Sequence, residues 1–152
     1  MALADYIYNK PTIETDRIVI RPMTIEDVTD LKEWMPDKSI YTYWGKGPGK
    51  AEKNPELLFE KENKPTKSFH LGISVKDFDK VIGDLWVYLI ENDRMASVAI
   101  RLSKKYHGVR NVASQRILEK SGFTREGLIR QGKMVNTWCD YYVYGILASD
   151  LA

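Results

Sequence analysis

Two small polar residues, Asn111 and Ser114, stand three positions apart just after Tyr106-His107-Gly108. Asn111 is a good helix N-cap, because its side-chain oxygen can accept from an otherwise orphaned backbone N–H. Ala113 and Ser114, then Ile117 and Leu118 one turn on, follow at helical spacing, and Gly122 before Phe123 supplies a left-handed stop. The spacing predicts a helix of about three turns ending near Lys120, with small polar groups gathered at its N-terminal end. Taken alone, these residues read as capping by Asn111 with Ser114 exposed. The other reactive types offer less. His70 alternates with Phe69 and Leu71 in a predicted strand, which suits a satisfied structural histidine. Cys139, beside Trp138, reads as buried and inert, and no Cys–His pairing supports covalent catalysis. Two histidines and one cysteine leave too few soft ligands for zinc, so no metal is expected, and a single cysteine excludes an internal disulfide.

The elements that must position these residues follow from patterning. Residues 13–22 alternate over Arg17 to Arg21 and stop at Pro22, which predicts a first strand. Thr24-Ile-Glu-Asp27 reads as a capping box that opens an amphipathic helix through Val28, Leu31, Lys32 and Trp34, stopped by Pro36. Residues 45–67, with three glycines, three prolines and repeated lysines, read as loop around one short helix over 55–62. Residues 68–75 and 80–90 read as strands joined by a polar turn at 76–79, and 96–102, after the Asn92-Asp93 turn, as the third strand of a meander. Strand pieces over 123–128 and 132–136 lead to a long aromatic strand over 138–147.

The 152 residues are read as one domain, long enough to bury a core. A hydrophobic share of 43% and a charged share of 29% fit a soluble globular chain. Twenty-three basic against 21 acidic side chains leave a net charge of +2, so no basic stripe argues for a nucleic-acid partner. No run approaches the ~20 apolar residues of a membrane span, so no membrane partner is expected. The N-terminal Met1-Ala-Leu-Ala-Asp5 lacks the pattern of a secretory signal, which makes the cytoplasm the expected location.

The block with Asn111, Ser114, Leu118-Glu119-Lys120 and Gly122-Phe123 resembles a motif of the GNAT superfamily of N-acetyltransferases. The likeness is to the branch that acetylates ribosomal-protein N-termini and small amines. Residues 14–22 with Thr24-Ile-Glu-Asp27 resemble that family's opening strand and first helix, and Val81-Ile-Gly83 its third strand. Residues 96–102 resemble its fourth strand, and Arg125-Glu-Gly127 with Asp140 and Tyr142 its C-terminal signature. The resemblance implies an α+β fold with a mixed, mostly antiparallel sheet flanked by helices.

One part of the pattern is missing. In the family, the fourth strand leads into a glycine-rich loop whose amides, at a helix start, cradle the acetyl-CoA pyrophosphate. Here His107 and Gly108 match the start of that loop, and Val109-Arg110 resumes where the following strand should end. The remaining loop, a helix and a strand amount to roughly 25 to 35 residues. Three readings compete: a sequence shorter than the molecule, a natural or engineered deletion of the cofactor loop, or a plain strand-to-helix turn at Gly108-Val109. The clean cut at matching positions on both flanks favours the first, with the Cα atoms of Gly108 and Val109 expected far apart.

The resemblance also implies roles. Acetyl-CoA would be the co-substrate and an amine-bearing acceptor, a protein N-terminus or small molecule, the partner; a homodimer is compatible with it. His107, Gly108, Asn111 and Ser114 would contact the cofactor, with Ser114 holding or protonating the leaving thiolate. Ile100, Arg101 and Leu102 would offer backbone N–H groups to the acetyl carbonyl and pantetheine arm, their side chains forming an ordinary core strand. Tyr43 and Trp44 would line the acceptor side, a reading no stronger than a packing cluster. Family members often carry carboxylates where this chain has Ser97 and, in some, Lys133, and neither replacement removes a proton at neutral pH without a large pKa shift. Asp84, Asp140, Glu126, His70 or a water chain remain for the base, each of the four side chains reading sooner as a surface charge or a structural pair than as a catalyst. Acetyl transfer to a primary amine in a ternary complex is the expected function, against a non-catalytic binding module that has lost its cofactor loop.

Overall fold

Alternating residues and polar turns lay out a five-stranded sheet in the order β1-β2-β3-β4-β5, every neighbour antiparallel. The strands are β1 (Ile13–Glu14), β2 (Ile18–Arg21), β3 (Ser68–Val75), β4 (Lys80–Ile90) and β5 (Met95–Leu102). This computed structural model describes residues 5–41, 46–60, 67–90, 95–106, 112–134 and 137–151. The chain divides into two units, Met1–Ile40 with Pro48–Tyr106, and Tyr41–Gly47 with His107–Ala152.

In the first unit, the stretch expected as one strand is a hairpin. The Thr15 hydroxyl accepts from the amides of Arg17 and Ile18 at 3.3 and 3.0 Å, a side-chain turn that reverses the chain between β1 and β2. The capping box forms as read: the Thr24 amide donates to Asp27 Oδ2 at 2.8 Å, and a 3₁₀ turn, Ile25–Asp27, runs into helix α2 (Val28–Trp34). Arg21 forks onto both Asp27 oxygens at 2.9 and 2.8 Å, which locks the helix start to β2. Val28, Leu31 and Trp34 share the helix face that is buried, at i, i+3 and i+6. Trp34 Nε1 donates to the Val81 carbonyl at 3.1 Å, and Asp30 accepts from the Val81 amide at 2.9 Å, so the helix is pinned to β4 through both backbone groups of one residue.

The loop over 45–67 carries helix α3 (Lys50–Lys53) and a 3₁₀ turn, Pro55–Leu58, where one short helix over 55–62 is expected. Asn54, with non-helical backbone, and Pro55 separate the two. A further helix, α1 (Asp5–Tyr8), brings Tyr6 to Phe69, ring centroids 6.4 Å apart. Strands β3 and β4 begin and end where patterning puts them, and β5 starts one residue earlier.

In the second unit, helix α4 (Val112–Lys120) is followed by β6 (Thr124–Met134) and β7 (Thr137–Gly145). The helix ends as expected, on Gly122 at φ +86°. The Phe123 amide donates to Leu118 O at 3.0 Å and the Gly122 amide to Glu119 O at 3.2 Å, the double bond of a Schellman end. The two strand pieces expected over 123–136 are one strand, Thr124–Met134, with two irregularities, the first between Arg125 and Gly127. The second is a bulge between Ile129 and Gly132, where Gln131 takes φ +48° and its amide donates to Asp140 Oδ1 at 2.8 Å. Together the elements form the α+β architecture expected, a mostly antiparallel sheet flanked by helices.

Candidate functional site

The register of β3, β4 and β5 decides which side chains meet. His70 lies opposite Trp86, Asp84 opposite Arg101, Tyr88 opposite Ser97 and Trp86 opposite Ala99. Because side chains alternate, all of these share one face of the sheet. Phe69, Leu71 and Ile73 occupy the other face of β3 and are buried.

Asp84 is the centre of this face. Its Oδ1 accepts from Arg101 Nε at 2.9 Å, and its Oδ2 accepts from Arg101 Nη2 and, at 3.3 Å, from Trp86 Nε1. His70 Nε2 lies 2.8 Å from the same Oδ2. Arg101 Nη1 reaches Glu52 Oε1 on α3 at 3.3 Å. The side chains of Asp84 and Arg101 are 0% and 2% exposed, so the pair is out of water. Burial acts to raise the Asp84 carboxyl, but hydrogen bonds from His70 and Arg101 outweigh it and hold the group below its ordinary value. Asp84 is therefore ionised and can only accept, which makes His70 Nε2 the N–H and leaves the lone pair on Nδ1. Burial pushes the His70 imidazole below its ordinary value, against the pull of Asp84, so it is neutral at pH 7. The His70 ring also stacks on Trp86, centroids 3.9 Å apart at 20°.

Strand β5 is the outer strand of the described sheet. The Ser103 amide donates to Ile82 O at 2.7 Å, so by alternation the main chain of Arg101 also faces β4. By the same alternation the amides of Ile100 and Leu102 face the opposite edge. Two of the three backbone donors expected from sequence thus point outward and one points inward. The side chains depart from an ordinary core strand: Ile100 is 52% exposed, and Arg101 is committed to the ion pair.

Ser114 is the third residue of α4. His107, Gly108, Asn111, Tyr43 and Trp44, and the Gly108–Val109 junction, lie outside the described residues. Ser97 and Lys133 are exposed. Asp140 is held by the Gln131 amide, and Cys139 is half-buried rather than buried. Among the described residues no group of three or more His, Cys, Asp or Glu side chains is placed to hold a metal ion. What sequence reasoning missed is the joint burial of His70, Asp84 and Arg101; the strand alternation carries a signal for it, but only once the register is known.

A model of the acetyltransferase (GNAT) domain matches residues 17–110. This chain belongs to the GNAT acetyltransferase family. Membership implies acyl transfer from acetyl-CoA to an amine. Solved structures of GNAT proteins share its fold. The chain is similar to a GNAT-family acetyltransferase from Bacillus anthracis, with a TM-score of 0.72 and 18% identity over 90% of this chain and 98% of that one. It is similar to ribosomal-protein-S5-alanine acetyltransferase from Vibrio fischeri, with a TM-score of 0.68 and 18% identity over 89% and 95%. It is also similar to spermidine N-acetyltransferase from Vibrio cholerae in complex with CoA and spermine, with a TM-score of 0.64 and 15% identity over 86% and 96%. No curated protein matches the sequence. At these identities the structural likeness is one of fold. No helix of the described residues is long and apolar enough to cross a membrane.

Proposed function

We propose that this GNAT protein is an acetyl-CoA-dependent N-acetyltransferase that acts on a primary amine by direct transfer in a ternary complex. The family match over residues 17–110, which spans β2 through β5, carries this reading. The outward amide of Ile100 supports it, being a fixed donor on the strand edge where an acetyl carbonyl would sit. In this reading the neutral amine nitrogen forms its bond to the carbonyl carbon, the C–S bond breaks, the thiolate takes the hydroxyl proton of Ser114, and the proton released by the amine nitrogen restores that hydroxyl, leaving the amide and the CoA thiol. His107, Gly108 and Asn111 complete the cofactor contacts, and Tyr43 and Trp44 flank the acceptor.

The acceptor is a protein N-terminus or a small amine, with the protein acting in the cytoplasm. The likeness to an S5-alanine acetyltransferase and to a spermine-bound enzyme makes an N-terminal alanine peptide and spermine the acceptors to try first. Purified protein is mixed with acetyl-CoA and each acceptor, and the acceptor is weighed by mass spectrometry. Gain of one acetyl group, absent when the protein is omitted, supports the proposal. No acetylated product from either acceptor or from a panel of primary amines counts against it and favours the non-catalytic module.

A further inference from the structure

The two edges of the five-stranded sheet are built differently. Strand β1 is two residues long and carries Glu14, held by Lys76 at 2.6 Å, so it offers little to a second strand. Strand β5 is eight residues long and pairs with β4 in unbroken register from Ile90↔Met95 to Gly83↔Leu102. From Met95 to Ile100 it has no charge, no proline and no glycine. Charges, bulges and prolines are what normally blunt an edge, and this stretch has none of them.

The outer side of β5 is a template for one particular strand. Ser103 donates inward to Ile82, so by alternation the main chains of Ala96, Val98 and Ile100 face outward. Among the described residues the amides and carbonyls of these three have no hydrogen-bond partner. Their side chains lie on the sheet face opposite Asp84 and are exposed, Val98 at 47% and Ile100 at 52%. An antiparallel copy of the same strand satisfies all three when a two-fold axis passes between the two Val98 residues. Val98 then meets Val98, and Ala96 meets Ile100 on either side, each pair exchanging two hydrogen bonds. A β-branched pair sits at the centre and a small side chain against a large one at each end. No like charges are opposed: Arg101, the one charge of the strand, meets Met95 and is tied to Asp84. An axis at Ala99 would need the main chain of Leu102, and Leu102 already interacts within the chain.

We infer that β5 is a self-association edge: two copies of this chain join antiparallel through Ala96, Val98 and Ile100 into one continuous sheet. Main-chain bonds hold the pair, and Val98 and Ile100 of each copy lose exposed apolar surface to the other. One consequence rests on the proposed function. The Ile100 amide given there to the acetyl carbonyl is an amide that pairing uses. Self-pairing and acetyl-CoA therefore exclude one another, so the dimer is an inactive form that the co-substrate takes apart.

Sedimentation velocity of the whole protein at rising concentration reads the association. A reversible monomer–dimer equilibrium is expected, weakened about tenfold or more by Val98→Lys, which opposes two like charges at the axis. Val98→Thr, β-branched and uncharged, should keep the dimer, and circular dichroism checks that both variants fold. Register is read by oxidative cross-linking in a Cys139→Ser background. Val98→Cys sets its two Cα atoms about 5.5 Å apart across the pair and should cross-link. Ala96→Cys sets them about 14 Å apart and should not. A monomer at every concentration, a dimer indifferent to Val98→Lys, or equal cross-linking at both positions overturns the inference. Saturating acetyl-CoA should return the dimer to monomer, and a dimer that holds acetyl-CoA without dissociating overturns the mutual exclusion. Pairing in the expected register by a protein that neither binds acetyl-CoA nor acetylates an amine would overturn the proposed function and leave the pairing standing.

Discussion

Arg101 and Asp84 face each other across the β4–β5 register, with Arg101 Nε 2.9 Å from Asp84 Oδ1 and both side chains out of water. Two buried charges are tolerable only as a pair. Asp84→Asn keeps the shape but removes the buried carboxylate opposite the guanidinium, and should cost about 3–5 kcal/mol. Replacing both with apolar residues, as in Asp84→Leu with Arg101→Met, should cost much less than the sum of the single changes. Urea unfolding of the four proteins in a double-mutant cycle measures this, and additive losses would mean the pair is not coupled.

His70 makes stability depend on pH. Its folded value is depressed by burial, so between that value and the unfolded value of about 6.5 the unfolded chain binds the extra proton. Stability contributed by neutral His70 is present above pH 6.5 and is lost as pH falls from there through the folded value. Urea midpoints between pH 7.5 and 5, on the ordinary imidazole scale of about 6.5, should therefore decline in the wild type and flatten in His70→Gln. An equal slope in both proteins would assign the decline to other groups.

How much of this was legible in advance depended on the range of the interaction. Strands β3 and β4 were readable because Lys76 to Asp79 break two alternating runs locally, and the α4 end because Gly122 and Phe123 carry a Schellman signal. The β1–β2 reversal was missed because one hydroxyl, that of Thr15, does what a glycine or asparagine usually does in a turn. The continuity of β6 was missed because its bulge is held from β7, by Asp140. His70, Asp84 and Arg101 were each visible, but their meeting depends on the register of three strands, which no local pattern encodes.

Gly122 is the one glycine of the described residues at positive φ, +86°. Gly122→Ala puts a Cβ into a left-handed backbone and should destabilise the protein by about 1 kcal/mol. Space does not oppose the change, since the added Cβ would meet only Ile146 Cδ1, at 3.6 Å. A neutral or stabilising result would show that α4 ends some other way.

Ser114, in the first turn of α4, is proposed to supply a proton to the thiolate. Ser114→Ala should then lower kcat about a hundredfold while leaving the urea midpoint and the affinity for acetyl-CoA nearly unchanged. A variant with unchanged kcat would remove Ser114 from the transfer step.

Use of acetyl-CoA by this GNAT chain is measured by calorimetric titration of the purified protein with acetyl-CoA. Saturable one-to-one binding in the micromolar range is expected, with release of free CoA thiol when an acceptor amine is then added. Absence of binding by the folded protein would contradict that use.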